Sequence, residues 1–363
     1  MLKHNALKPN PENQPHRRFN LLTGEWILVS PHRMDRTWTG QHETPGNRQD
    51  DRYDPGCDLC PGNRRASGQT NPMYTQPFVF TDDFSVLLPD TVMAKSSLDV
   101  LLQIAPESGL CRVICYTPRH DLTMARMTED QIRAVIDVWL DEFNTLGQRK
   151  NITYIQIFED KGEMMGGTNP HPHGKIWASS SIPNLILKED FRQQCYMQDH
   201  DRCLLCDYLE RELNEEERIV FANDSFVCLV PFWAIWPFET MILPRRHMGA
   251  INFMNEKEKT DLAGIIRQLG ICYDNLFETS FPYSMGIHQQ PIIKGPAGTS
   301  AIWHFHFHYY PPLLHANGIK KQMAGYEILA MPQRDITPEQ AAGMLRSQDG
   351  IHYLEKPKNK RET

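Results

Sequence analysis

Residues 166–177 read GGTNPHPHGKIW, and residues 301–312 read AIWHFHFHYYPP. Each stretch sets histidines two positions apart inside an apolar run. In extended backbone, residues two apart face the same side. His171, His173 and Lys175 therefore share one face, with Pro172 turned away and stiffening the chain. His304, His306 and His308 share a face in the second stretch, and Phe305 and Phe307 turn into the core.

Working outward, the two stretches close two similar successions. Before the first stand Cys57 and Cys60 in a turn-rich segment, the strand-like PFVFT and CRVICYTP, and His120. TEDQIRAVIDVWLDEFNTLGQR then predicts a helix with Thr128 as its N-cap, and ITYIQIFED a buried strand. Before the second stand Cys203 and Cys206, the strand-like FVCLVPFW and TMILPRRH, and His247. A helix over NEKEKTDLAGIIRQLGICYDNLF and a strand over PYSMGIH follow. The shared order of CxxC, strand, histidine, helix, strand and alternating-histidine strand predicts an internally duplicated α+β chain. The two antiparallel-sheet units are expected at 1–190 and 191–363.

A CxxC pair with two remote histidines supplies the Cys2His2 set that tetrahedral zinc favours, with no position left for a catalytic water. Cys57, Cys60, His120 and His171 make one such set, and Cys203, Cys206, His247 and His304 a possible second. If His171 is committed to metal, His173 is held beside it. The residues alone leave it open as a nucleophile, a further ligand or a hydrogen-bonded core histidine. His306 and His308, with His288 and a carboxylate such as Glu189, suit a mixed nitrogen and oxygen metal site.

A formal net charge of −7 argues against general nucleic-acid binding. The N-terminal MLKHNALKPNPENQPHRRF has no apolar leader, and no apolar run approaches a membrane span, so a cytoplasmic protein is expected. Nine cysteines in that setting point to thiols and metal ligands rather than a disulfide framework.

Longer motifs carry a resemblance: NPHPHG with IWA, PHRR, PFETMILPRRH, YDNLF, SFPYSMG, YYPPLL, GYEILA and QRDITPEQAA. Together they resemble the galactose-1-phosphate uridylyltransferase family of the histidine-triad superfamily, over nearly the whole chain. The resemblance implies two histidine-triad-like units in one continuous half-barrel-type chain, and homodimers whose active sites take residues from both subunits. It implies a nucleotidyltransferase that passes UMP from UDP-glucose to galactose 1-phosphate by a ping-pong route through uridylyl-His173, with no nucleic-acid or membrane partner. On its pattern His171 joins the first zinc site, and Glu189, His288, His306 and His308 hold Fe2+ or a further Zn2+. Arg33 and Arg36 match positions that meet the nucleotide. Asp82, Asp83, Asp160 and Thr168 join the substrate-binding set. Lys321, Tyr326, Glu327 and Gln333 match the sugar-phosphate segment that the partner subunit contributes.

The chain departs from that pattern near the nucleophile. Lys175 stands where the family has Gln, Asp82 and Asp160 stand where it has Asn, and GIHQQP replaces GWHGAP. A lysine is a point charge on a flexible stem and cannot reproduce the fixed hydrogen bonds of an amide. Slower turnover through the uridylyl-enzyme, or an altered substrate, is expected. That keeps open a related phosphorylase with another base or acceptor, and a low-turnover nucleotide-sugar-binding homologue. Asp160 and Lys175, changed together, are expected to pair.

Overall fold

A computed structural model describes residues 13–35, 51–91, 100–292, 300–314 and 323–356. Arg36 and Lys321 lie outside the described residues. Twelve strands and six α-helices are described. In chain order the first strands are β1 (His16–Phe19), β2 (Trp26–Val29), β3 (Phe78–Thr81) and β4 (Gly109–Cys115). Helix α1 (Glu129–Gly147), β5 (Tyr154–Lys161), β6 (His173–Ser179), α2 (Asn184–His200) and α3 (Leu204–Glu215) follow. Then come β7 (Ile219–Ala222), β8 (Phe226–Leu229), β9 (Thr240–Pro244), α4 (Glu256–Leu276), β10 (Tyr283–His288) and β11 (His306–Tyr310). The chain closes with α5 (Tyr326–Leu329), β12 (Gln333–Arg334) and α6 (Pro338–Arg346).

Nine strands make one open antiparallel sheet in the order β3-β4-β6-β5-β10-β11-β9-β8-β7. Read outward from the central β5–β10 pair, each side shows the same sequence of roles. The histidine-alternating strand (β6 or β11) comes first, then the strand before the helix (β4 or β9), then β3 or β8. The duplicated order expected from the sequence is thus a duplicated topology, joined strand to strand at its centre. Strands β1, β2 and β12 form a second, small sheet, in which β12 runs parallel to β2.

Both long helices start where their caps direct. The Thr128 hydroxyl accepts the Gln131 N–H while the Gln131 side chain accepts the Thr128 N–H, and Asn255 and Glu258 do the same for α4. Ile132, Val135, Ile136 and Trp139 of α1, and Leu262, Ile266 and Leu269 of α4, then pack on one face of the sheet. Ile155, Ile157, Ile176, Ile287 and Phe307 meet them from the strands, and Phe305 is buried with them as expected. The alternation of a strand consequently turns His173 and Lys175, Phe158 and Asp160, Ser284 and His288, and His306 and His308 to the other face.

Two features differ from the sequence reading. Strand β6 begins at His173, not His171: Pro172 has no N–H for a ladder, although its carbonyl accepts the Tyr116 N–H at 2.9 Å. Helix α2 carried no visible apolar stripe because its buried residues are Ile186, Glu189 and Gln193. That face meets a polar cluster, so hydrophobic periodicity could not reveal it.

Candidate metal centres and nucleophile

Cys57 and Cys60 sit in a tight knuckle, where the Leu59 N–H reaches the Cys57 Sγ at 3.4 Å. His120 follows β4 and His171 precedes β6. The Cys60 Sγ lies 3.7 Å from His120 Nδ1 and 3.5 Å from His171 Nδ1. A tetrahedral ion with Zn–S of about 2.3 Å and Zn–N of about 2.0 Å requires S···N edges of about 3.5 Å. The four ligand atoms lie within 4.8 Å of one another and all four residues are buried. His171 donates its Nε2–H to the Thr117 carbonyl at 2.9 Å, which fixes the tautomer and leaves Nδ1 for the metal. Asn169 reaches the Cys57 sulfur with its amide at 3.6 Å. The donor set, its burial and its outer hydrogen bonds all fit zinc.

The second half repeats this arrangement. Cys206 Sγ lies 3.3 Å from His247 Nδ1 and 3.2 Å from His304 Nδ1. His247 donates Nε2–H to the Ser300 carbonyl and His304 to the Pro244 carbonyl, each at 2.8 Å. Hydrogen bonding with Cys206, and with both imidazoles, pushes the Cys203 thiol down in pKa, and Cys203 in turn raises that of His247. Two sulfurs and two Nδ1 atoms gathered this closely make the same donor set as in the first half.

A third cluster lies on β10, β11 and α2. His288 Nδ1 donates to Glu189 Oε1 at 2.9 Å, and His306 Nε2 and His308 Nε2 stand 3.7 Å and 3.9 Å from the Glu189 oxygens. Glu189 Oε2, His306 Nε2 and both nitrogens of His308 are buried with no hydrogen-bond partner among the described residues. Orphaned donors and acceptors in so dry a place cost free energy unless an ion takes them. Burial pushes the His306 pKa down to about 4 and that of His308 well below the usual range, which keeps both rings neutral and able to ligate. This cluster also fits a divalent metal.

His173 is placed differently. Its Nδ1–H goes to the carbonyl of His171 at 2.7 Å, so Nε2 carries the free lone pair. Burial, then the neighbouring Lys175, lowers its pKa despite the His171 hydrogen bond. The ring is therefore neutral at pH 7. Beneath it Gly174 admits no side chain: a Cβ there would stand 2.0 Å from the Tyr116 hydroxyl. Tyr116 thus packs against the strand directly under the nucleophile candidate.

The expected Asp160–Lys175 pair does not form. Among the described residues no carboxylate oxygen lies within 4.0 Å of the Lys175 nitrogen. The register explains it: β5 sets Phe158, not Asp160, across from Lys175, which leaves Asp160 on the diagonal. Strand β10 sets Ser284 directly across from Asp160, and its hydroxyl donates to the Asp160 carboxylate at 2.5 Å.

The other sequence candidates fall into two groups. Asp82 and Asp83 follow β3, where Asp82 accepts the Phe84 N–H at 3.0 Å and Asp83 the Ser67 N–H at 3.2 Å. Thr168 is exposed in the segment before His171. Arg33, Glu327 and Gln333 gather through the β2–β12 pairing instead. Asp335 takes Arg33 Nε at 2.9 Å and the Gln333 amide at 2.6 Å, while Glu327 accepts the Gln333 N–H at 3.2 Å. Tyr326 is exposed on the short α5. His173 bonds none of this second group. Asp335, Ser284, Tyr116 and the carbonyls of Thr117 and Pro244 were not singled out from sequence, although Asp335, Ser284, Pro244 and Asn169 all sit inside the quoted motifs.

The nine cysteines are all free thiols, and no described helix is long and apolar enough to cross a membrane. Residues 7–183 match the profile for the N-terminal domain of galactose-1-phosphate uridyl transferase, and residues 189–357 match that for its C-terminal domain. The chain is 46% identical over 348 residues to the galactose-1-phosphate uridylyltransferase of Haemophilus influenzae, covering 96% of this chain and 98% of that one. Against the same enzyme of Rattus norvegicus it is 45% identical over 345 residues, covering 95% and 90%. A solved structure of a uridylyltransferase superposes with a TM-score of 0.73 at 25% identity, covering 91% of this chain and 97% of that one. An ADP-glucose phosphorylase from Arabidopsis thaliana shares the fold, with a TM-score of 0.72 at 19% identity over 93% and 99% of the two chains.

Proposed function

This chain belongs to the galactose-1-phosphate uridyl transferase family, and on that premise we propose that it moves UMP from UDP-glucose to galactose 1-phosphate through His173. The observation that carries the reading is the state of that ring: neutral, pinned at Nδ1 by the His171 carbonyl, with Nε2 unprotonated on the face of the sheet turned away from α1 and α4. Nε2 attacks the α-phosphorus of UDP-glucose, an N–P bond forms, and the P–O bond to the departing glucose 1-phosphate breaks. The leaving group is a weak base and needs no proton. The positive charge left on the ring is met by the same His171 carbonyl. Galactose 1-phosphate then attacks the same phosphorus, frees His173 and leaves as UDP-galactose. Splitting the exchange in two makes each half a matter of positioning and charge stabilisation. The Lys175 side chain shares the face of His173 and supplies a cation beside it for the phosphoryl oxygens. Phe158 and Trp177, at a centroid distance of 5.3 Å, form an aromatic wall on that face.

Cys57, Cys60, His120 and His171 would hold zinc, which would supply folding energy and fix His171. Cys203, Cys206, His247 and His304 would hold a second zinc. The nitrogen and oxygen donors of the third cluster suit Fe2+ or Zn2+. Arg33, Arg36, Asp82, Asp83, Asp160 and Thr168 are assigned to substrate on the family pattern. Lys321, Tyr326, Glu327 and Gln333 are assigned to the sugar phosphate held by a partner subunit of a homodimer. The exposure of Ile328 (70%) and Leu329 (85%) beside Tyr326 supports that assignment. Nine free thiols fit a reducing cytoplasm.

Incubation with uridine-labelled UDP-glucose alone tests the mechanism. One label per chain on His173, matched by released glucose 1-phosphate and discharged by galactose 1-phosphate, is the expected result. Label on any other residue overturns the assignment. The Lys175 ammonium favours one second reading, an anionic acceptor such as inorganic phosphate, and discharge by phosphate in preference to the sugar phosphate would establish it. Label that neither acceptor discharges would mark a stalled, nucleotide-binding homologue.

A further inference from the structure

His171 and His304 hold matching places in the two halves. Each gives Nε2–H to a backbone carbonyl, at 2.9 Å to Thr117 and 2.8 Å to Pro244, and turns Nδ1 toward a cysteine sulfur. Each also offers its own carbonyl to the Nδ1–H of the histidine two residues on, at 2.7 Å for His173 and 2.9 Å for His306. In the first half the product is a free Nε2. In the second, the Nε2 of His306 meets Glu189 Oε2 at 3.7 Å, with the His288 and His308 ring centroids at 5.6 and 4.7 Å. Of the three rings in that cluster, His306 alone is tied to backbone: His288 bonds Glu189, and neither nitrogen of His308 has a partner. The fixed vertex of the carboxylate–trihistidine cluster is therefore set by the residue that closes the neighbouring Cys2His2 set.

We infer that the two metal sites of the second half are coupled through His304. An ion on Cys203, Cys206, His247 and His304 anchors the His304 backbone, and that carbonyl keeps the His306 proton on Nδ1 and Nε2 open for the second ion. With no ion on its Nδ1, His304 is less firmly held, its carbonyl shifts, and His306 takes its proton on Nε2, where it cannot ligate. Outer hydrogen bonds of this type change metal affinity by about 10- to 100-fold. Coupling of binding is reciprocal, so loss of the carboxylate-site ion weakens the Cys2His2 site by the same factor. The inference rests on the metal reading above and extends it.

The test uses the full chain stripped of metal and titrated with Co2+, whose thiolate charge-transfer band reports the cysteine-bound ions while elemental analysis counts all of them. The unaltered chain is expected to take three ions. In H304Q and in the double variant C203S/C206S, affinity at the carboxylate site falls about tenfold or more while the first-half site is unchanged. In E189Q the second-half cysteine site weakens to the same extent. An H304Q chain that melts with the parent yet holds the carboxylate-site ion within about twofold of parental affinity overturns the coupling alone. A parent that binds no more than one ion overturns the metal reading with it. If the variants fail to fold, chelator stripping of the parent decides: one concerted phase for the two second-half ions supports the coupling, and two independent phases overturn it.

Discussion

Strands β6 and β11 carry the same device and put it to different ends. In each, a metal-type histidine lends its carbonyl to the Nδ1–H of the histidine two positions on, at 2.7 Å in one half and 2.9 Å in the other. The difference lies in what surrounds the unprotonated Nε2. Around His306 the sheet and α2 bring Glu189, His288 and His308, a set of donors for an ion. Around His173 the matching positions hold Asp160, tied to Ser284, and Lys175, a cation. A ring beside two imidazoles and a carboxylate is placed to serve as a ligand. The same ring beside a lysine lacks that donor set, which suits the role proposed for it as a nucleophile toward phosphate. Orientation of an imidazole is thus a general tool, and its neighbours decide the chemistry.

The hardest way to break this comparison is to remove the ring. H173N should abolish uridylyl labelling and lower turnover by about 10⁴-fold or more, the scale for losing a nucleophile. H306N should cost one bound ion while His173 still takes the label, as read by labelled UDP-glucose and metal analysis side by side. Labelling that moves to His306 in the H173N chain would erase the distinction between the halves.

Filling the space beneath the nucleophile comes next. In G174A the new methyl meets the Tyr116 hydroxyl, and forced overpacking of this kind costs about 3 kcal/mol. Denaturant titration should show the loss, and adding Tyr116→Phe should return part of it. A G174A chain as stable as the parent would mean that Tyr116 does not fix the strand.

Lys175 is a finer instrument. A point charge holds the ground state and the intermediate much as it holds the transition state, which lowers no barrier. K175Q should therefore discharge its uridylyl group about tenfold faster, a change of about 1.4 kcal/mol in the barrier. Single-turnover release of label by galactose 1-phosphate measures this, and a rate no faster than the parent's removes the account of the lysine.

The last test lies away from both strands and serves as their control. Burial would raise the Glu339 carboxyl, but the hydrogen bonds and charges of Arg18 and Arg218 hold its pKa down to about 2. A depressed carboxylate stabilises the fold fully above its unfolded pKa, and that contribution fades as pH falls from about 4.5 toward 2. Allowing for partial exposure, it amounts to about 2 kcal/mol. E339Q should lose about that much at pH 7 and little near pH 2. Thermal melts across that range check it, with labelling of His173 and metal content unchanged.

Much of this was legible in the chain itself. The pairs Cys57–Cys60 and Cys203–Cys206, the alternating histidines and the capped apolar helices are local signals, and their repetition announced a duplication that the central β5–β10 pairing displays. Glu189 was legible as a carboxylate suited to the histidine cluster, but its helix was not, because that helix buries a polar face. The Asp160–Lys175 pairing failed for a related reason: composition says that opposite charges are present, while register says which residues stand across from each other.

The sequence by itself determined which residues could ligate, which could attack and which face of each strand they share, since those follow from side-chain chemistry and the two-residue period of extended backbone. Only the tertiary structure decided that His306 meets donors and His173 does not, that Ser284 claims Asp160, and that Lys175 stands without a carboxylate among the described residues. Those outcomes depend on strand order and register. A strand finds its neighbours by burying the apolar face it turns to α1 and α4, and the polar face takes whatever company that packing brings.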